Sequence, residues 1–215
     1  MTRHVAILLF DDVEVLDFAG PFEVFSVCGR RNQLEPFAVS TVSERGQMIR
    51  ARNGLMITPT HSFASCPPID ILLVPGGFGT RREMRNPVVL EWVVRHGRRS
   101  EFLLSVCTGA LVLGSAGLLD GIGATTHHMA FEELRAAAPR AEVHDGARIV
   151  DNGRVVLSSG VSAGIDMSLH VVSRLHGDDL ARETARYMEY EGRWDDASRI
   201  IAPASVPSAP REEGA

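Results

Sequence analysis

The chain has 215 residues, 45% of them hydrophobic and 23% charged, with a formal net charge of −5. That is ordinary globular composition, long enough for one sizeable domain with embellishments and short for two. The acidic balance, with its 22 basic residues scattered along the chain, argues against a nucleic-acid surface.

Read from the start, MTRHVAILLFDD predicts a buried strand over 5–10, stopped by two aspartates, and not a signal peptide. Residues 18–30 follow as a helix with Phe18, Phe22 and Phe25 on one face and Pro21 in its first turn. Residues 36–58 read as a strand plus a small hairpin around Asn53-Gly54. A second continuous apolar run, 69–77, ends in Pro75-Gly76-Gly77, and Pro87 opens a helix over 87–99. The third run, 102–106, leads into Cys107-Thr108-Gly109 and a short helix. ATTHH at 124–128 reads as a strand end before the helix MAFEELRAA. A hairpin over 148–159 turns at Asn152-Gly153, and helices over 162–176 and 178–191 start at Ser162 and Asp178 as N-caps. Apolar runs without polar alternation suit strands covered on both faces. The alternation with helices predicts a doubly wound, mostly parallel α/β sandwich with hairpin additions. One domain is expected over 1–194, and a disordered polar tail over 195–215. No stretch approaches the roughly 18 continuous apolar residues of a membrane span, so a cytoplasmic protein without membrane partners is expected.

In open α/β sheets, ligands bind beyond the carboxyl ends of the strands. Here the three runs bring Asp17, Gly76-Gly77 and Cys107 to one rim. Cys107 follows a strand and precedes Thr108, Gly109 and a helix, the layout of a nucleophile elbow. Unpaired amides and the helix dipole favour a thiolate there, so its alkylation is expected to titrate below the free-thiol value of about 8.5. Asp17 fits both an N-cap and a pocket carboxylate, whereas Glu23 is expected along the helix surface. Gly76 and Gly77 present amides suited to an oxyanion. GGFGT is no dinucleotide fingerprint, because Arg82 stands at the third glycine position. His127 and His128 lack the companions of a metal site and are expected to line the pocket. Cys28 and Cys66 read as packing thiols, since three cysteines make neither a disulfide framework nor a zinc site. Thr125, Thr126 and Asp166 read as strand-end and helix-start residues.

LLFDDVEVLDFAGPFEVF, ILLVPGGFGT, SVCTGALVLGSAGLLDGIGATTHH and GVSAGIDMSLHVV together resemble the ThiJ/PfpI superfamily, which shares the flavodoxin-like sheet of class I glutamine amidotransferases. The resemblance runs from about residue 4 to 190 and is strongest to the isonitrile hydratases. It implies a homodimer acting on a small molecule without cofactor or metal, a lyase that adds water to an isonitrile. In that pattern Cys107 matches the catalytic cysteine, Asp17 the acid/base carboxylate and Thr108 the residue beside the nucleophile. His128 stands where the hydratases carry a tryptophan, which leaves the substrate open.

Other branches fit less well. No histidine is followed by x-Glu, as an amidotransferase triad needs, and Thr108 replaces the histidine that follows the cysteine in protease-like members. A glyoxalase or deglycase uses the same elbow and stays open, as does a cysteine oxidation sensor. Related transcription regulators continue into a DNA-binding region, where only a short polar stretch follows Trp194 here.

Overall fold

The three apolar runs lie side by side in the middle of one sheet. In this computed structural model, which describes residues 2–192 and 194–202, the chain begins with β1 (Arg3–Leu8), α1 (Val15–Val27) and β2 (Phe37–Ser43). A small antiparallel pair, β3 (Ile49–Arg50) and β4 (Met56–Ile57), precedes β5 (His61–Ser62) and β6 (Ile71–Val74). Next come α2 (Thr80–Glu83), α3 (Pro87–Gly97), β7 (Phe102–Val106) and α4 (Gly109–Ser115). Then follow β8 (Gly123–Ala124), α5 (Phe131–Ala137), β9 (Glu142–Val143), β10 (Ile149–Asp151) and β11 (Val155–Ser158). α6 (Ala163–His176), α7 (Asp178–Tyr187) and β12 (Ile200–Ile201) complete it.

The main sheet runs β12-β10-β11-β7-β6-β1-β2-β5. Every neighbouring pair in it is parallel except β10 with β11, the expected hairpin. Val5, Ile7, Leu72, Leu73, Leu103 and Leu104 have no exposed surface. Each such side chain contributes about 1.5–3 kcal/mol of apolar burial. α1, α6 and α7 pack together on one side of the sheet, and α2, α3, α4 and α5 on the other. From β1 the chain goes first to β2 and later returns to β6 on the opposite side. That reversal opens a crevice at the carboxyl ends of β1 and β6. Among the described residues, no helix is long and apolar enough to cross a membrane.

Local expectations shift in four places. α1 starts at Val15, so Pro21 sits inside the helix and not in its first turn. There its ring packs 3.4 Å from where a Gly164 side chain would begin, at the crossing of α1 and α6. Ser162 makes no capping bond. The cap of α7 is Gly177, with Asp178 already helical. Residues 195–202 of the expected tail are structured, because the β-branched Ile200–Ile201 pair extends the sheet beside Ile149 and Val150. The rest, 203–215, lies outside the described residues.

Candidate active site

Four loops at the carboxyl end of the sheet build the site. The chain leaves β7 through Cys107 at φ 57°, the left-handed region that L-residues seldom occupy, and turns directly into α4. The Cys107 amide donates to the carbonyls of Ser158 and Ser159 at 3.2 and 3.1 Å. Thr126 Oγ1 donates to the Cys107 carbonyl at 2.8 Å. So the elbow is held from β11 on one side and from the segment after β8 on the other.

Asp17 lies in the first turn of α1 with 0% exposure. Its Oδ2 accepts from the Gly76 amide at 2.9 Å, its Oδ1 is buried without a conventional partner, and its carboxylate faces the Cys107 thiol. The convergence is visible at Gly76. A side chain begun there would sit 2.6 Å from Thr108 N, 2.7 Å from Asp17 Oδ2 and 2.8 Å from Cys107 Cβ. Only glycine fits between the acid and the nucleophile. Gly77, at φ 124°, lies under the backbone of Asp12–Glu14 and binds it through a bridge to Val13.

The glycine amides do other work than expected. The Gly76 amide is spent on Asp17, and the Gly77 amide donates to Thr108 Oγ1 at 3.0 Å. Thr108 thus ties the β6 loop to the elbow, helped by Thr80, whose hydroxyl donates to the Gly77 carbonyl at 2.7 Å. Thr108 and Val161 share the cavity with Cys107, and their backbone N–H groups favour charge on its sulfur. Val161 has φ 51°, a costly backbone for a β-branched residue, of order 1–3 kcal/mol. No pattern in the sequence marks it.

Burial pushes Asp17 up to about 7. Burial first, and then the Asp17 charge, push the Cys107 thiol up to about 12, against the pull of the two amides. The expected resting thiolate is therefore replaced by a thiol beside a carboxyl group that titrates near neutrality. Helix dipole and amides do not offset desolvation and a neighbouring negative charge.

A cavity of about 180 Å³ opens over the sulfur, lined by Glu14, Arg52, Gly77, Phe78, Thr108, His127, Met129 and Val161 among others. Phe78 and Met129 are 65% and 79% exposed at its mouth. The Arg52 guanidinium lies 4.3 Å from the centre of the Phe78 ring. Arg81, which pairs with Glu133 through two bonds of 2.8 and 2.6 Å, flanks the same ring. His127 borders the cavity, its Nδ1 accepting from the Met129 amide at 3.2 Å, which leaves the ring proton on Nε2. Burial and the neighbouring His128 and Arg81 lower its pKa, so it is neutral at pH 7. The His128 ring lies tilted against it, centroids 4.3 Å apart, but faces an adjoining cavity of about 400 Å³ and not the one over Cys107. Glu23 is exposed on α1, as expected. Cys28 is buried, Cys66 half-buried, and both are free thiols. Among the described residues, no group of three or more His, Cys, Asp or Glu side chains is placed to hold a metal ion.

Comparison with known proteins bears on the family and the fold. A model of the DJ-1/PfpI family matches residues 3–174. An isonitrile hydratase of Pseudomonas putida is 33% identical, with 100% of this chain covering 91% of that protein. The HTH-type transcriptional regulator GbdR of Pseudomonas aeruginosa is 32% identical over 88% of this chain, but only 51% of the regulator is spanned. Among solved structures, a ThiJ/PfpI family protein from Pseudomonas syringae superposes with a TM-score of 0.79 at 30% identity, covering 89% of this chain and 76% of its own. Drosophila melanogaster DJ-1beta gives 0.78 at 18% identity over 89% of this chain and 100% of its own, a likeness of fold.

Proposed function

The chain belongs to the DJ-1/PfpI family, and from that premise we propose that it is a cysteine-dependent lyase of the isonitrile hydratase type. The observation that carries this reading is the buried pair of Cys107 and Asp17 meeting at Gly76 beneath a small cavity. A carboxyl group near neutrality can take the thiol proton and return it, which is what addition of water to an isonitrile requires.

The steps balance as follows. Cys107 Sγ attacks the terminal isonitrile carbon as its proton passes to Asp17, and Asp17 delivers that proton to the same carbon, giving an N-substituted thioimidate on sulfur. Asp17, again a carboxylate, draws a proton from an attacking water and passes it to the imine nitrogen. The tetrahedral adduct collapses, the C–S bond breaks, and the hydroxyl proton returns through Asp17 to sulfur. The product is an N-substituted formamide. In this scheme Thr108 holds the β6 loop against the elbow, and the Thr108 and Val161 amides stabilise negative charge on sulfur as it leaves. Neutral His127 lines the substrate's path with a ring N–H. Gly76 and Gly77 shape the site by close approach and do not bind an oxyanion. The proposal includes a cytoplasmic homodimer acting on a small molecule, on the strength of family resemblance.

The test is a panel of alkyl and aryl isonitriles with wild type, Cys107→Ala and Asp17→Asn, following formamide. We expect Cys107→Ala to fall to background and Asp17→Asn to lose roughly 10²–10⁴-fold, the usual worth of a positioned acid/base. Undiminished formamide production by Cys107→Ala would refute the mechanism.

A further inference from the structure

Val161 lines the cavity over Cys107 from a loop that turns through the left-handed region, and that loop is held by side chains on both flanks, backed by the C-terminal segment. Asp166, 1% exposed in the first turn of α6, accepts from Arg148 Nε and, at 2.8 Å, from the Tyr190 hydroxyl. Arg148 Nη2 also donates to Ser162 Oγ at 3.3 Å, just past Val161. The Arg148 carbonyl accepts from the Ser159 amide at 2.9 Å, just before it. The loop 159–162 is thus clamped at both ends by one arginine, which Asp166 orients. The segment after α7 presents Tyr190, whose ring lies 2.1 Å from where a Gly192 side chain would begin, so the chain folds tightly over it. The Arg199 carbonyl meets the Arg148 amide at 3.2 Å from a second direction. None of these side chains touches the thiol.

We propose that Tyr190, Asp166 and Arg148 are positioning residues through which the C-terminal segment holds the Val161 amide on Cys107. The network thereby tunes the reactivity of that thiol. Loosening it removes an N–H that favours the charged sulfur, so less thiolate forms at any given pH. A stable buried ion pair does not by itself require this arrangement, since such pairs contribute little net stability. The inference rests on Cys107 as the nucleophile but on no particular substrate.

The experiment is alkylation of Cys107 by iodoacetamide in the full chain, followed by peptide mass spectrometry from pH 6 to 10 alongside thermal unfolding. Tyr190→Phe, which keeps the ring and loses only the hydroxyl, is expected to slow Cys107 alkylation at pH 8 about three- to tenfold and to move the pH–rate curve upward. A charge-assisted hydrogen bond lost outright is worth roughly tenfold or more. Asp166→Asn should act in the same direction and further, and where it does not fold, Tyr190→Phe decides. An unchanged alkylation profile in Tyr190→Phe, whatever happens to its melting temperature, would reduce the network to a structural clamp and overturn the proposal. Because the readout needs no isonitrile, that failure is separable from failure of the hydratase reading.

Discussion

Through their middles, β1, β6 and β7 are filled by Val, Ile and Leu with no exposed surface, in parallel register and with ordinary strand geometry. A few residues further on, the same strands deliver a left-handed Cys107, a carboxylate with an oxygen left unpartnered, and a glycine pressed between them. The middle departs from close apolar packing at the buried, unpartnered Ser105 hydroxyl, whereas the rim breaks several rules at once. Strain and unpaired buried charge persist only where surrounding structure forces them, and such places tend to be sites of chemistry. The stability of the sheet's middle underwrites the cost of its rim.

Adding one methyl group at the rim is the harshest way to probe that contrast. Gly76→Ala drives Cβ into Thr108, Asp17 and Cys107. We expect isonitrile turnover to fall by at least about 10²-fold, since displacing a reacting group by about 1 Å costs that much. Ile7→Val, which removes a methylene from the core, should cost about 1 kcal/mol of stability and leave turnover nearly unchanged. Comparable activity in the two variants would erase the distinction between the regions.

A smaller effect separates function from stability at Asp17. Its folded pKa is raised, from an ordinary 3.8 to about 7. Its charge therefore costs stability above pH 7, progressively less as the pH falls, and nothing below about 4. Asp17→Asn should accordingly be more stable than wild type at pH 8, on the order of 3 kcal/mol, and equal to it at pH 4. Urea unfolding at the two pH values measures this. A variant less stable at pH 8 would mean that the carboxylate is structural.

Much of this was legible in the sequence because it is written in contiguous residues. The three apolar runs mark the central strands, Asn53-Gly54 and Asn152-Gly153 mark the hairpins, and the elbow is spelled by SVCTG. What escaped is non-local. Val161 looks like any loop valine until β11 and α6 bend it to φ 51°. Asp166 looks like a helix-start acid until Arg148 and Tyr190 arrive from 18 and 24 residues away. Ile200–Ile201 is too short to read as a strand without the edge it docks on. The resting thiolate failed for a different reason. Elbow and helix dipole are local features, whereas desolvation and the Asp17 charge come from the assembled fold.

The central claim is that Asp17 carries the Cys107 proton, and the pH–rate profile of Cys107 alkylation in wild type and Asp17→Asn tests it most directly. Wild type should show a rise through pH 7 as Asp17 becomes a base, and Asp17→Asn should lose that rise and react only as the thiol itself ionises, at a lower pH than the wild-type thiol because the Asp17 charge no longer opposes it. Superimposable profiles, or a single titration at about 8.5 as for a free thiol, would contradict the coupling of the two groups.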